Sequence, residues 1–294
     1  MLRFRRFSYH ERVLSRLRSW RRARILARYG ASDELWHAAT EGLVLRARLG
    51  AEREARLREM TALFLHAKRL DAAGGLDLDD AMRVRLAALA CEPILELGLE
   101  SLDEFRSVVV HPTEFIVRGR EEVDEDGVVH VGDDVLSGEA WDQGPVVLAW
   151  DEVEASGRGE GYNVVAHEIA HKLDLLTGAV NGLPPLHEGM RREEWTRSFR
   201  SAYDELLGEM DRGREPWIDP YAAEDPGEFF AVCTEVFFDV PAEFARRYPA
   251  VYGQLRAFFK QDPAADAAPR SRSRRPHDRR APRKAARATR GRLS

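Results

Sequence analysis

Residues 165–171 read Val-Ala-His-Glu-Ile-Ala-His, a His-Glu-x-x-His pattern formed by His167, Glu168 and His171. Four residues advance an α-helix by about 400°, so the two histidines project from one face, a turn apart. Two imidazoles so placed can bind one zinc ion. Glu168, one position on from His167, then stands beside the open coordination site, where it can take a proton from an activated water. Val164, Val165, Ile169, Ala170 and Leu173 make the helix around them apolar, and Ala166 and Ala170 leave room for close packing. Two incidental histidines on a helix are the plainer alternative, and the apolar setting weighs against it.

A catalytic zinc needs a third protein ligand. The extended motif that adds a Gly and a third His is missing, because Asp174 and Thr177 occupy those positions. His187, in a Pro/Gly-rich loop, is one candidate. Better ones are carboxylates in Gly-Glu-Phe-Phe-Ala-Val-Cys-Thr-Glu-Val-Phe-Phe (227–238), where Glu228 and Glu235 stand seven apart and share a helix face. Acids among so many phenylalanines are costly if unpaired. Spacing does not choose between them, since Glu228 also suits a helix N-terminus and Glu235 a core ion pair. Tyr221, in the loop before this helix, could donate a hydrogen bond to an oxyanion or simply pack. Asp174, three residues after His171, could orient an imidazole from behind or cap the helix.

The surrounding elements follow from periodicity. Helical spacing predicts helices over 9–29, 33–48 and 51–70, and another that Asp79 and Asp80 open and that runs to Cys91, with Pro93 marking a break;. Short β-rich runs follow at Ser107–His111, Glu114–Arg118, Gly127–Val131 and Pro145–Trp150;. They predict a small mixed or largely antiparallel sheet, with Pro145–Trp150 a candidate edge for pairing an extended peptide. Helical spacing returns at 162–177, 191–211, 227–238 and 242–260. The fold class is therefore α+β with a helical N-terminal section.

The 294 residues carry a formal net charge of −5, which hides a segregation. Residues 1–30 and 264–294 each hold a balance of +9, and the body between them −23. Three segments are expected: a basic helical extension (1–30), a domain over 31–263 with a helical part (31–100) and a catalytic part (101–263), and a disordered Arg-rich tail (264–294). Basic ends bind polyanions such as nucleic acid weakly and nonspecifically. No apolar run suits a membrane span, and no secretory signal is present, so the expected location is cytoplasmic. Cys91 and Cys233 exclude a disulfide scaffold and read as buried thiols;.

The segments 74–91, 138–150, 163–174, 219–238 and Gln261-Asp262-Pro263 keep an order and spacing that resemble the Mlc titration factor A family of bacterial zinc peptidases. The resemblance spans about residues 31–263. It implies a gluzincin, with a zincin-like domain similar to the catalytic domain of anthrax lethal factor. It also implies that His167, His171 and Glu228 hold one Zn2+, that Glu168 is the general base and that Tyr221 stabilises the transition state. Members act as aminopeptidases on small model substrates, so a peptide substrate is expected. The founding member binds a transcriptional repressor of sugar-transport genes, which makes a repressor-sequestering protein with weak hydrolysis the alternative. The two basic ends fall outside the likeness.

Overall fold

The computed structural model describes residues 9–113, 115–123, 129–136, 138–140 and 144–266. Its front section is helical. α1 (Tyr9–Tyr29) lies against α4 (Ala51–Ala67), and Arg22 pairs with Glu59 at 2.5 Å. The helix expected over 33–48 is two pieces, α2 (Asp33–Ala39) and α3 (Leu45–Arg48). Between them Gly42, at φ 76°, takes the chain out of right-handed helical space;. α5 (Asp80–Cys91) begins where the sequence predicts, with the Asp79 carboxylate accepting from Met82 N;. It is buried from Val84 onward. Arg85 within it donates from Nη1 to the carbonyls of Ala39 and Glu41 and from Nη2 to that of Glu154.

The sheet is mixed. Its strand order is β1 (Arg69–Ala72), β2 (Ser107–His111), β6 (Val146–Ala149), β5 (Gly138–Ala140). β1, β2 and β6 run parallel, and β5 returns antiparallel to β6. Two expectations change here. Helical spacing extends to residue 70, but α4 stops at Ala67 and Arg69–Ala72 pair with β2. Pro145–Trp150 is no edge: β6 is paired on both sides, and Trp150 opens α6 (Trp150–Ala155). β5 is the outermost strand, and its far side pairs with no strand among the described residues. The other two β runs, β3 (Phe115–Val123) and β4 (Val129–Leu136), form a separate antiparallel hairpin. Glu114 and residues 127–128 of the expected strands lie outside the described residues.

α7 (Val164–Leu175) packs against α5, against the β5–β6 side of the sheet and against α9 (Pro226–Asp239). α9 is the centre of the C-terminal half. Phe229, Phe230, Phe237 and Phe238 are all buried in it, against α8 (Arg192–Asp211) on one side and α11 (Pro249–Phe259) on another. Trp195 of α8 stacks on Phe199 with ring centroids 4.4 Å apart and meets Phe230 and Phe258 edge-on or tilted. The helix expected over 242–260 breaks into α10 (Pro241–Arg247) and α11 at Pro249, whose ring suits the first turn of a helix and not its interior;. A short α12 (Pro263–Asp266) follows, with Asp266 paired to Arg53. Residues 1–8 and 267–294 lie outside the described residues. Among those described, no helix is long and apolar enough to cross a membrane. Both thiols are buried, and burial pushes their pKa up.

Candidate metal centre

The site is built on the first turns of α7 and α9. A helix start leaves backbone N–H groups without intrahelical partners, and in α7 these are met by side chains. Asn163 is the N-cap, and its Oδ1 accepts from Ala166 N at 3.0 Å. Val164 N donates to Ser156 Oγ at 3.0 Å, and Asn163 N donates to Glu235 Oε2 at 2.7 Å. With its first turn fixed, α7 points His167 and His171 towards α9; both are buried, as is Glu168 between them.

α9 starts equally sharply. The Asp225 carboxylate caps it by accepting from Gly227 N and Glu228 N, with Pro226 at the first helical position;. The loop after α7 lies directly on this start. A Cβ on Gly227 would sit 2.7 Å from Val180 Cγ1, and one on Gly182 (φ 76°) would sit 2.5 Å from the Pro226 carbonyl oxygen. Glycine at both positions lets loop and helix touch. Asp174, at the end of α7, closes the same joint: its Oδ2 accepts from Gly182 N at 2.6 Å. Burial raises the pKa of this carboxyl, and the backbone donors of the loop only partly offset that.

Glu228 thereby arrives beside the two histidines. Its Oε2 is 3.0 Å from His167 Nε2, its Oε1 is 3.4 Å from His171 Nε2, and the two Nε2 atoms are 3.1 Å apart. One ligand atom from each residue lies within 4.8 Å of the others, the geometry of a three-donor metal site. Burial by itself raises the Glu228 carboxyl, but the two imidazoles that face it outweigh burial and favour its ionised form. The donor chemistry fits a metal on a second count. His167 Nδ1 is 2.8 Å from Glu235 Oε1, and an ionised carboxylate there can only accept, which assigns the proton to Nδ1 and leaves Nε2 its lone pair;. A lone pair facing a second imidazole nitrogen and a carboxylate is repulsive unless a proton or a cation lies among them. Two imidazoles and one carboxylate are the protein donor set of a catalytic zinc, which takes water as its fourth ligand.

The other candidates fall on different sides of this centre. Glu228 and Glu235 both reach His167, at opposite ring nitrogens. Tyr221 sits in a one-turn 3-10 helix (Pro220–Ala223) capped by Asp219, with its ring centroid 6.2 Å from that of His167. His187 is elsewhere: it stacks on Phe258 and donates to that residue's carbonyl at 2.7 Å. Spacing does not single out Ser156, Asp225 or Asp239, which hold the backbone around the site. Asn163 had a readable signal, a cap-type residue directly before the first apolar residue of the helix.

The fold and the three-donor centre define a metallopeptidase-type protein. The sequence matches the family described as glucose-regulated metallo-peptidase M90 over residues 17–260, and the chain belongs to that family. Proteins named Mlc titration factor A are similar to it along most of their length. One from Salmonella arizonae is 40% identical over 238 residues, covering 79% of this chain and 93% of its own. Another, from Klebsiella pneumoniae subsp. pneumoniae, is 42% identical over 241 residues, covering 80% and 89%. The family match starts inside α1, so part of the basic helix belongs to it. A divalent metal goes with the chemistry of such a family.

Proposed function

We propose that the chain is a zinc-dependent peptidase of the gluzincin type, aminopeptidase-like in its action on peptides. The observation that carries this reading is the convergence of His167 Nε2, His171 Nε2 and Glu228 from two helices, with Glu235 facing His167 Nδ1 on the far side of the ring. A zinc ion held by these three would act as a Lewis acid and bring the pKa of a water towards neutrality. Glu168 takes the proton from the attacking water and delivers it to the leaving amine. Tyr221, beside His167, donates a hydrogen bond to the oxyanion of the tetrahedral intermediate. An extended peptide would align on the outer edge of β5, the strand beside α7, through main-chain hydrogen bonds;.

The test is a peptide-library digest read by mass spectrometry with and without a chelator. Chelator-sensitive removal of N-terminal residues is the expected outcome. Cleavage that persists without metal would overturn the zinc mechanism, and purely internal cleavage would overturn the aminopeptidase reading.

The name of the relatives favours a second reading, in which the chain binds and sequesters a transcriptional repressor. Pull-down with wild type and Glu168→Gln separates the two: a partner captured equally by both, and released from DNA without being cut, supports sequestration. We place the protein in the cytoplasm, with nucleic acid bound at most weakly through the basic ends.

A further inference from the structure

We infer that Glu235 is a positioning residue of the metal centre, whose single carboxylate sets both the tautomer of His167 and the start of the helix that carries it. The inference rests on the proposed ligand set of His167, His171 and Glu228. One oxygen of Glu235 faces His167 Nδ1 at 2.8 Å, and the other accepts from Asn163 N at 2.7 Å. The carboxylate is 3% exposed on a helix otherwise lined with phenylalanine, where an unsatisfied acid is costly;. Both oxygens are therefore committed. The peptide N–H that Glu235 holds belongs to the N-cap, whose own side chain holds Ala166 N, so the ring and the backbone of the first ligand turn are fixed from one point.

Glu235 belongs to a series along one side of α9. Seven residues before it, Glu228 meets the Nε2 side of His167. Four residues after it, Asp239 accepts from Gly159 N at 2.8 Å, from Gly161 N and from Tyr162 N at 3.2 Å, the loop entering α7. The two histidines are unequally supported: His171 Nδ1 is buried and makes no hydrogen bond among the described residues. His167 is the preorganised ligand of the pair, and Glu235 is the group that preorganises it. A carboxylate behind a ligating imidazole fixes ring orientation and raises its basicity, typically by about 10–100-fold in metal affinity. Glutamine has the same shape but one acceptor oxygen, so in Glu235→Gln either His167 Nδ1–H or Asn163 N–H faces an amide NH2.

The experiment uses the full chain as wild type, Glu235→Gln and Asp239→Asn. Zinc affinity is measured by competition with a chromophoric chelator, and the histidine tautomers of the zinc-free protein by nitrogen-15 NMR. Expected are a His167 protonated at Nδ1 in wild type, loss of that single tautomer in Glu235→Gln, and zinc bound about 10–100-fold more weakly. Asp239→Asn, which disturbs the same loop without touching the ring, should keep both the tautomer and the affinity. Glu235→Gln binding zinc as wild type does, Asp239→Asn losing as much affinity, or a wild-type His167 protonated at Nε2 would each overturn the inference. The wild-type tautomer decides the matter even if Glu235→Gln fails to fold. Wild-type protein that takes up no zinc would instead overturn the ligand assignment beneath it.

Discussion

Glu168 and His167 are neighbours in sequence with separable duties, and their separation is testable. Glu168 offers no atom to the three-donor cluster, so Glu168→Gln should leave bound zinc at wild-type levels by atomic absorption. Peptide hydrolysis should fall by about 10²–10⁴-fold, the range general acid–base catalysis contributes. Substantial turnover in the zinc-loaded variant would remove Glu168 as the base. Glu92 shows a different side of residue chemistry. It is paired with Arg48 where both side chains are almost wholly buried, and burial raises its carboxyl to about 7 although Arg48 pulls it down. The nearby Asp239 carboxylate pushes in the same direction as burial. A carboxyl raised above its unfolded value binds a proton in the folded state first, so its contribution improves as pH falls through about 7 and is lost as pH rises. For the Glu92 carboxyl, desolvation thus outweighs the attraction of Arg48;. Urea unfolding should find Glu92→Gln the more stable chain at pH 8, with the difference shrinking towards pH 5. A variant clearly weaker than wild type at pH 8 would show that the ion pair stabilises on balance.

At the scale of elements, the site depends on how closely the loop 178–183 rests on the start of α9. Gly182 has a positive φ, and a Cβ there would meet a backbone carbonyl oxygen that cannot swing away. Gly182→Ala should therefore cost about 1–3 kcal/mol of stability in denaturant unfolding. It should also weaken metal uptake, since Pro226 sits two residues before Glu228. Unchanged stability would mean that the loop is free to shift without disturbing α9. The α7–α9 joint is also where a bound ion would couple to folding, because its ligands come from both helices. Zinc at 100 times its Kd should stabilise the fold by about 2.7 kcal/mol. Calorimetry with and without a chelator reads this directly, and an identical Tm in both would argue against a site spanning the two helices.

Over the whole molecule, charge and chemistry are partitioned. The −23 body contains the candidate metal centre; of the basic ends, α1 makes up most of the first and is tied to α4 through Arg22 and Glu59, and the start of the second, in α12, is tied to α4 through Asp266 and Arg53. Both ties use exposed or half-exposed side chains, for which ion pairs contribute little. The apolar packing of α9 against α7, α8 and α11 is the larger stabilising feature, and it places Glu228 beside the two histidines.

The sequence by itself determined what is local. The spacing of His167 and His171, the caps at Asp79 and Asn163 and the apolar periodicity of α5, α7, α8 and α9 are encoded within a few residues of where they act. Family likeness in the ordered motifs added Glu228 and Tyr221. What needs a distant partner was decided only in the tertiary structure. β1 is a four-residue strand that exists because β2 pairs with it, so helical spacing ran through it. β6 turned out internal because β5 lies beyond it, and an edge is a property of the sheet, not of its strand;. Glu228 and Glu235 share a face at a seven-residue spacing that treats them alike. They differ because the imidazole they both meet has two nitrogens, and only the packing of α7 on α9 decides which carboxylate faces which.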